Sequence, residues 1–362
     1  MTKLPALGGP MKARRSPARS VVPTSDKQSR RQFMLVGARI FAPAVLLPVL
    51  ASAGCSAADA QTPRNIPRVG FLALGAAAGQ PGMFLAAFQK GLRAHGWVEG
   101  TTLVVEARFA EGQSERIPEL VAELARLEVR AIFVLGSPAA SIAKRHTTIP
   151  LVMIGDPVGT RLAATLDRPG GTVTGLASNS QEICGKRLTL LKAVVPGLTR
   201  AAFIANPESP AIPGILRITQ NTAKTLGIEL IDIGVRTERE IEGAFDTMGR
   251  TGAQGFICYP VPMIDSRVTQ LAEVAVQRRI AWMDEIPRNA TLGALLGYGA
   301  DYPELARRAA DYIDKIVKGA DPAALAIGVP EKTEFIANLK TAQALGITVP
   351  ESVLAEATTV IR

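Results

Sequence analysis

From Pro67 onward the apolar positions fall into two alternating kinds of run. Short continuous runs of strand length are each followed by a longer run whose apolar residues recur three and four apart. Residues 68–74 (RVGFLAL) read as a buried strand. Residues 84–95 read as a helix with Phe84, Ala87, Phe88, Gly91 and Leu92 on one face, stopped by Gly96. Residues 102–109 alternate like a half-exposed strand, and Ser114 is placed to cap a helix running to Leu127. Strands at 131–135, 151–154 and 172–176, with a short helix at 139–146, close a first unit. A second unit repeats the scheme, with strands at 200–205, 228–235, 255–259 and 281–283. Its helices fall at 182–195, 213–226, 238–249 and 264–278.

This alternation predicts an α/β fold with doubly wound parallel sheets and helices on both faces. The tail adds a strand at 292–298, a helix at 302–317, a strand at 334–338 and a helix at 339–345. If each added pair completes one sheet, residues 61–178 with 290–322 make one lobe and 179–289 with 323–362 the other. Two such lobes leave a cleft between them, and ligands of open parallel sheets sit beyond the carboxyl ends of the strands.

Composition changes this picture only at the N-terminus. The 362 residues carry a formal charge of +9, but +7 of it lies in residues 1–60, leaving +2 for the body. A body so near neutrality gives no case for nucleic-acid binding by net charge. The leader has the marks of an export signal: Arg30-Arg31 in a twin-arginine pattern, an uncharged stretch over 40–53, and Ala58-Asp59-Ala60 before Gln61. That stretch is too short to span a bilayer as a helix. Ser52-Ala53-Gly54-Cys55 offers a second reading, a lipid anchor on Cys55, although Ser52 replaces the leucine of the usual pattern. Both readings put the working compartment outside the cytoplasm. Cys184 and Cys258 remain in the body; they could pair there, and burial as two small side chains is the favoured alternative.

Candidate chemistry lies at the strand ends. Gly136-Ser137-Pro138-Ala139 runs from a strand into a helix start, which suits an anionic group or is plain capping by Ser137. Asp156, in GDPVG after the 151–154 strand, could meet an ammonium or form an Asp turn. Asn206, Tyr259, Asp284-Glu285 and Tyr298 end later strands. The nucleotide-binding glycine patterns, G-x-S-x-G, H-E-x-x-H and C-x-x-C are all absent, so no cofactor, metal site or catalytic set is expected.

Several segments are shared with a known family. They are FQKGLR (88–93) with GWVEG (96–100), RFAEG (108–112), GDPVG (155–159) through RPGGTVTG (168–175), GKRL (185–188) and NLKTA (338–342). Together they resemble the substrate-binding proteins of ABC transporters related to tryptophan and tyrosine uptake. The resemblance implies a periplasmic-binding-protein fold of the first type, two lobes joined by three crossings. It implies a periplasmic protein that closes on an amino-acid-like or organic-anion ligand and delivers it to an ABC permease and its ATPase, without cofactor or catalysis. The membrane would be met through that permease or through a lipid on Cys55. An extracytoplasmic enzyme or a sensory binding protein on the same fold is the alternative. Carried over by position, Ser137, Ala139 and Asp156 would face the cleft from the first lobe, and Asn206 and Tyr259 from the second. Asp284 would stand near the hinge and Tyr298 on the returning strand. Many relatives place an aromatic residue where Asp284 stands, which implies a different or more cationic ligand.

Overall fold

The structure, a computed structural model, describes residues 66–259, 264 and 267–362. The leader with its twin arginine, Cys55 and Ala60 therefore lies outside the described residues. Strands β1 (Arg68–Ala73), β2 (Val104–Phe109), β3 (Ile132–Leu135), β4 (Leu151–Gly155) and β5 (Val173–Ala177) form a parallel sheet in the order β2-β1-β3-β4-β5. Alternation along β1 splits its side chains between two cores. Val69, Phe71 and Ala73 join Phe84, Phe88 and Leu92 of α1 (Gln80–Ala94) on one face. Leu72 and Leu74 join residues of α2 (Ile117–Arg126) and α3 (Ser137–Lys144) on the other. Helix α1 begins four residues before the expected start, with Pro81 in its first turn, where the missing N–H breaks no helical bond. Ser114 does not cap α2: it opens a separate 3-10 turn, and the α-helix proper starts at Ile117.

Helix α4 (Ser180–Val194) opens the second lobe, with strands β6 (Arg200–Ala205), β7 (Glu229–Gly234), β8 (Gly255–Cys258) and β9 (Ala281–Asp284). Helix α5 (Ile212–Leu226) packs with α4 on one face, and α6 (Glu238–Thr251) and α7 (Val268–Gln277) cover the other. Cys184 lies in the first of these cores and Cys258 in the second. The sheet separates the two thiols, so they are not bonded to each other. Trp282 is a core residue, stacked 5.4 Å from Phe256.

The tail departs from the expected division. Strand β10 (Leu296–Ala300) does not complete the first sheet. It pairs parallel to β9 and antiparallel to β11 (Thr333–Asn338), which in turn pairs with β12 (Thr359–Ile361). The second sheet is thus a seven-stranded, mixed β12-β11-β10-β9-β8-β6-β7. Gly297 and Gly299 show why β10 stays here. A Cβ at Gly297 would meet Pro287 O at 2.5 Å, and one at Gly299 would meet Glu285 O at 1.9 Å. Backbone packed that closely on the segment after β9 belongs to the same lobe.

Helix α8 (Tyr302–Val317) returns to the first lobe, where it packs along α1. A Cβ at Gly91 would stand 2.2 Å from Arg307 O, so glycine sets how closely these helices approach. Residues 325–328 also stay with the first lobe, since Gly328 exchanges backbone bonds with Gly175 and Ala177. The first lobe accordingly takes residues 66–178 with 302–328. The second takes 180–300 with 333–361, and the chain crosses between them three times. Helices α9 (Leu339–Leu345) and α10 (Glu351–Glu356) complete the second lobe; α10 and β12 were not foreseen in the sequence. Among the described residues no helix is long and apolar enough to cross a membrane.

Candidate functional site

Both sheets reverse their winding once: between β1 and β3 in the first lobe, and between β6 and β8 in the second. At such a point the loops of two neighbouring strands diverge and leave a crevice at the strand ends. The two crevices face one another across a cavity of about 160 Å³. Leu74, Gly75 and the start of α1 (Gln80, Pro81, Phe84) line it after β1, and Gly136–Ala139 after β3. The opposite wall is Ser209, Ala211, Ile212 and Ile215 after β6, with Tyr259 after β8. Ser178, Ser180, Glu285, Ile286 and Tyr302 close the hinge side. Most of this surface is apolar.

Four of the seven residues singled out from the sequence line this cavity: Ser137, Ala139, Asp156 and Tyr259. Their surroundings differ from the expectation in one case. The Asp156 carboxylate is already engaged: Oδ1 accepts the Gly159 N–H at 2.8 Å, and Oδ2 accepts from the Gln181 amide of the opposite lobe. It forms an Asp turn and a tie between lobes, not an open anionic site. Ser137 Oγ accepts the Asp156 N–H at 3.0 Å and so fixes that loop.

Asn206, Asp284 and Tyr298 do not line the cavity. Asn206 Oδ1 accepts the Glu208 N–H at 2.9 Å and shapes the turn that presents Ser209. Tyr298 lies edge-on against Phe335 and contributes its carbonyl, which accepts from Arg187 Nε at 2.7 Å. Asp284 shares the β9 face of Trp282. Its carboxyl accepts the Trp282 indole N–H at 3.0 Å and the Ile286 N–H at 2.7 Å, away from the cleft. Burial raises its pKa to about 7, against the lowering effect of the Ile286 and Asn289 hydrogen bonds. No cationic ligand is therefore read by Asp284.

The residue beside it is the one that faces inward. Glu285 is buried; Oε1 accepts from the Tyr302 hydroxyl at 2.6 Å and Oε2 from Ser180 Oγ at 2.8 Å. Arg187 Nη1 stands 3.7 Å from Oε2, with the guanidinium wholly buried and 5.2 Å from the centre of the Tyr259 ring. Burial opposes the arginine charge, but Glu285 and Tyr259 more than offset this and its pKa lies above the ordinary value. Burial also raises the pKa of Tyr302, as does Glu285, so its hydroxyl stays protonated and donates. This network ties α4, the end of β9 and the start of α8, the elements next to two of the crossings. Sequence reasoning missed Arg187, Ser180, Gln80 and Tyr302 as parts of the site. The signal for Glu285 was present: with Trp282 in the core, the strand period of two turns Asp284 to the same side and Glu285 to the other. Among the described residues no group of His, Cys, Asp and Glu could hold a metal ion.

A family model described as ABC transporter substrate binding protein matches residues 81–361, and the chain belongs to that family. It is 23% identical over 262 residues to a tyrosine-binding protein of Clostridioides difficile, covering 71% of this chain and 75% of that one. Among solved structures it is similar to a conserved domain protein from Vibrio cholerae, with a TM-score of 0.74 and 23% identity. It is likewise similar to a Streptococcus pneumoniae ABC domain in complex with L-Trp, with a TM-score of 0.73 and 22% identity. Each likeness covers 82% of this chain and 99% of the other. The ligand-free, open structure of a Clostridium difficile substrate-binding protein matches over the same shares at a TM-score of 0.57 and 20% identity. The fold is that of a type I periplasmic binding protein, and the chain is a substrate-binding component of an ABC transporter.

Proposed function

We propose that this protein works in the periplasm and encloses one α-amino acid with an apolar side chain, then presents it to an ABC permease powered by its ATPase. The observation that carries the reading is the cavity itself. About 160 Å³ of largely apolar space matches the ~150 Å³ that takes up a benzene ring in an engineered protein cavity. It suits one ring or a branched aliphatic group. The polar groups that line it suit a zwitterion. The first turn of α3 offers N–H groups and a positive dipole end for a carboxylate, with Ala139 at the wall. Glu285, Ser178 and Tyr259 line the other side, where an ammonium would sit. Arg187 is paired with Glu285 and does not line the cavity, so a purely anionic ligand has no cationic side chain to meet there. The higher likeness to the L-Trp complex than to the open, ligand-free relative supports a closed arrangement of the lobes. Export by a twin-arginine signal cut after Ala60 fits this placement and is the preferred alternative to lipidation of Cys55.

Thermal unfolding of the chain from Gln61 onward, scanned against amino acids and their carboxylate analogues, tests the reading. A ligand at one hundred times its Kd adds about 2.7 kcal/mol, or roughly 5–10 °C at this size. A shift with apolar amino acids, and the ligand recovered unchanged, is expected. A shift with dicarboxylates or sugars alone would refute it.

A further inference from the structure

Gln80 and Tyr259 both line the cavity and carry buried oxygens: among the described residues Gln80 Oε1 has no hydrogen-bond partner, while the Tyr259 hydroxyl stands by Arg187 and Thr219. Gln80 is 6% exposed and Tyr259 1%. Buried polar atoms are nearly always paired, and an unpaired one on a cavity wall marks where a ligand atom belongs. The tyrosine hydroxyl can give or receive a hydrogen bond, so it does not discriminate. The glutamine is more informative, because its neighbours decide which end of the amide faces inward.

Asp284 sets the orientation of these amides. Its carboxyl accepts from the Ile286 N–H and the Trp282 indole, and the Asn289 side chain stands close enough to lower its pKa, as a donor does. Next to an accepting carboxyl, the Asn289 amide presents its NH2 and turns its oxygen outward. That oxygen accepts from Gln80 Nε2 at 2.9 Å. The Gln80 amide therefore donates at this end and leaves Oε1, a pure acceptor, on the cavity wall. Gln80 opens α1 of the first lobe, whereas Asn289 lies in the 3-10 turn Pro287–Leu292 of the second. The bond between them runs from one lobe to the other.

We infer that Gln80 is a selectivity residue whose Oε1 accepts a hydrogen bond from an N–H of the ligand, an amino-acid ammonium, while Asn289 holds the amide in register from the opposite lobe. This rests on the amino-acid reading above and specifies how that site rejects a ligand lacking the donor. A ligand without the N–H leaves the acceptor buried and unpaired, which weakens binding by roughly 5- to 150-fold.

The test compares L-phenylalanine with 3-phenylpropanoate, and L-leucine with 4-methylpentanoate, by calorimetry on wild type, Gln80→Met and Gln80→Glu. Each pair shares its carboxylate and apolar group and differs at the ammonium. Wild type is expected to prefer the amino acid, Gln80→Met to lose at least ten-fold of that preference, and Gln80→Glu, which keeps an acceptor at the wall, to retain it. Ligand-free melting of each variant within a few degrees of wild type shows that the fold is intact. If Gln80→Met keeps the wild-type preference, the role of Gln80 is overturned while the amino-acid reading stands. If wild type binds neither amino acid, the amino-acid reading is overturned, and the role of Gln80 with it.

Discussion

Replacing Arg187 by methionine tests the network on which the cavity rests. The guanidinium is wholly buried, and its loss strands two partners at once. The Tyr298 carbonyl loses the Nε donor at 2.7 Å, and the Glu285 carboxylate loses the cation that stands 3.7 Å from it. Methionine keeps much of the apolar stem but supplies neither donor nor charge. Removing one partner of a buried ion pair costs about 3–5 kcal/mol, because the other is left uncompensated. At about 2 °C per kcal/mol for a chain of this size, the melting temperature falls by roughly 6–10 °C. Glu285→Gln on the same background removes the stranded charge and keeps one acceptor, while its NH2 can donate to whichever of the Ser180 and Tyr302 hydroxyls turns to accept. The double variant is therefore expected to recover at least half of the loss. Thermal unfolding of wild type, both single variants and the double variant closes the cycle. A single-variant loss below about 1 kcal/mol, or a double variant at the sum of the two, would refute the coupling argued for this pair.

Three further outcomes follow from the same geometry. Asp284 has a folded pKa of about 7, above the unfolded carboxylate value, so the folded state holds its proton more tightly. Its contribution is fully present below about pH 4 and is lost as pH rises toward 7; Asp284→Asn should therefore gain on wild type in melting temperature over that window, and a constant difference would contradict the assignment. Asp156→Ala removes the Gly159 turn bond and the tie to Gln181, which corresponds to roughly 10- to 150-fold weaker ligand affinity with the fold intact, since a hydrogen bond to a charged group contributes about 1.5–3 kcal/mol. Complete loss of binding would restore Asp156 as a direct ligand contact, and unchanged affinity would deny the tie. Cys184 and Cys258 sit on opposite faces of one sheet, so the exported protein should carry both as thiols that alkylate only after unfolding; an intact mass two daltons lower would show otherwise.

Much of the architecture was determined by the sequence alone. Runs with period two or 3.6, punctuated by glycine and proline, are local properties. They placed β6, α8 and α9 at their observed bounds and most other elements within a few residues. The class of protein was legible through a resemblance to a known family, carried by shared segments such as 155–159 and 168–175. The membership of β10 was not. A strand's period says which faces it buries but not which sheet receives it, and that was decided by backbone packing at Gly297 and Gly299. The site divides in the same way. Strand ends locate loops, so Ser137, Ala139, Asp156 and Tyr259 were found by position. Whether a side chain on such a loop points into the cleft depends on the partners it meets, some of them near in sequence and some far away. Asp284 was turned aside by Trp282 and Ile286, and Tyr298 by Phe335. Gln80 was brought inward by Asn289, 209 residues away, and Glu285 was met by Ser180, 105 residues before it. Pairings across such distances are settled only when the chain folds back on itself, within a lobe for Ser180 and Glu285 and between lobes for Gln80 and Asn289, and no local pattern carries them.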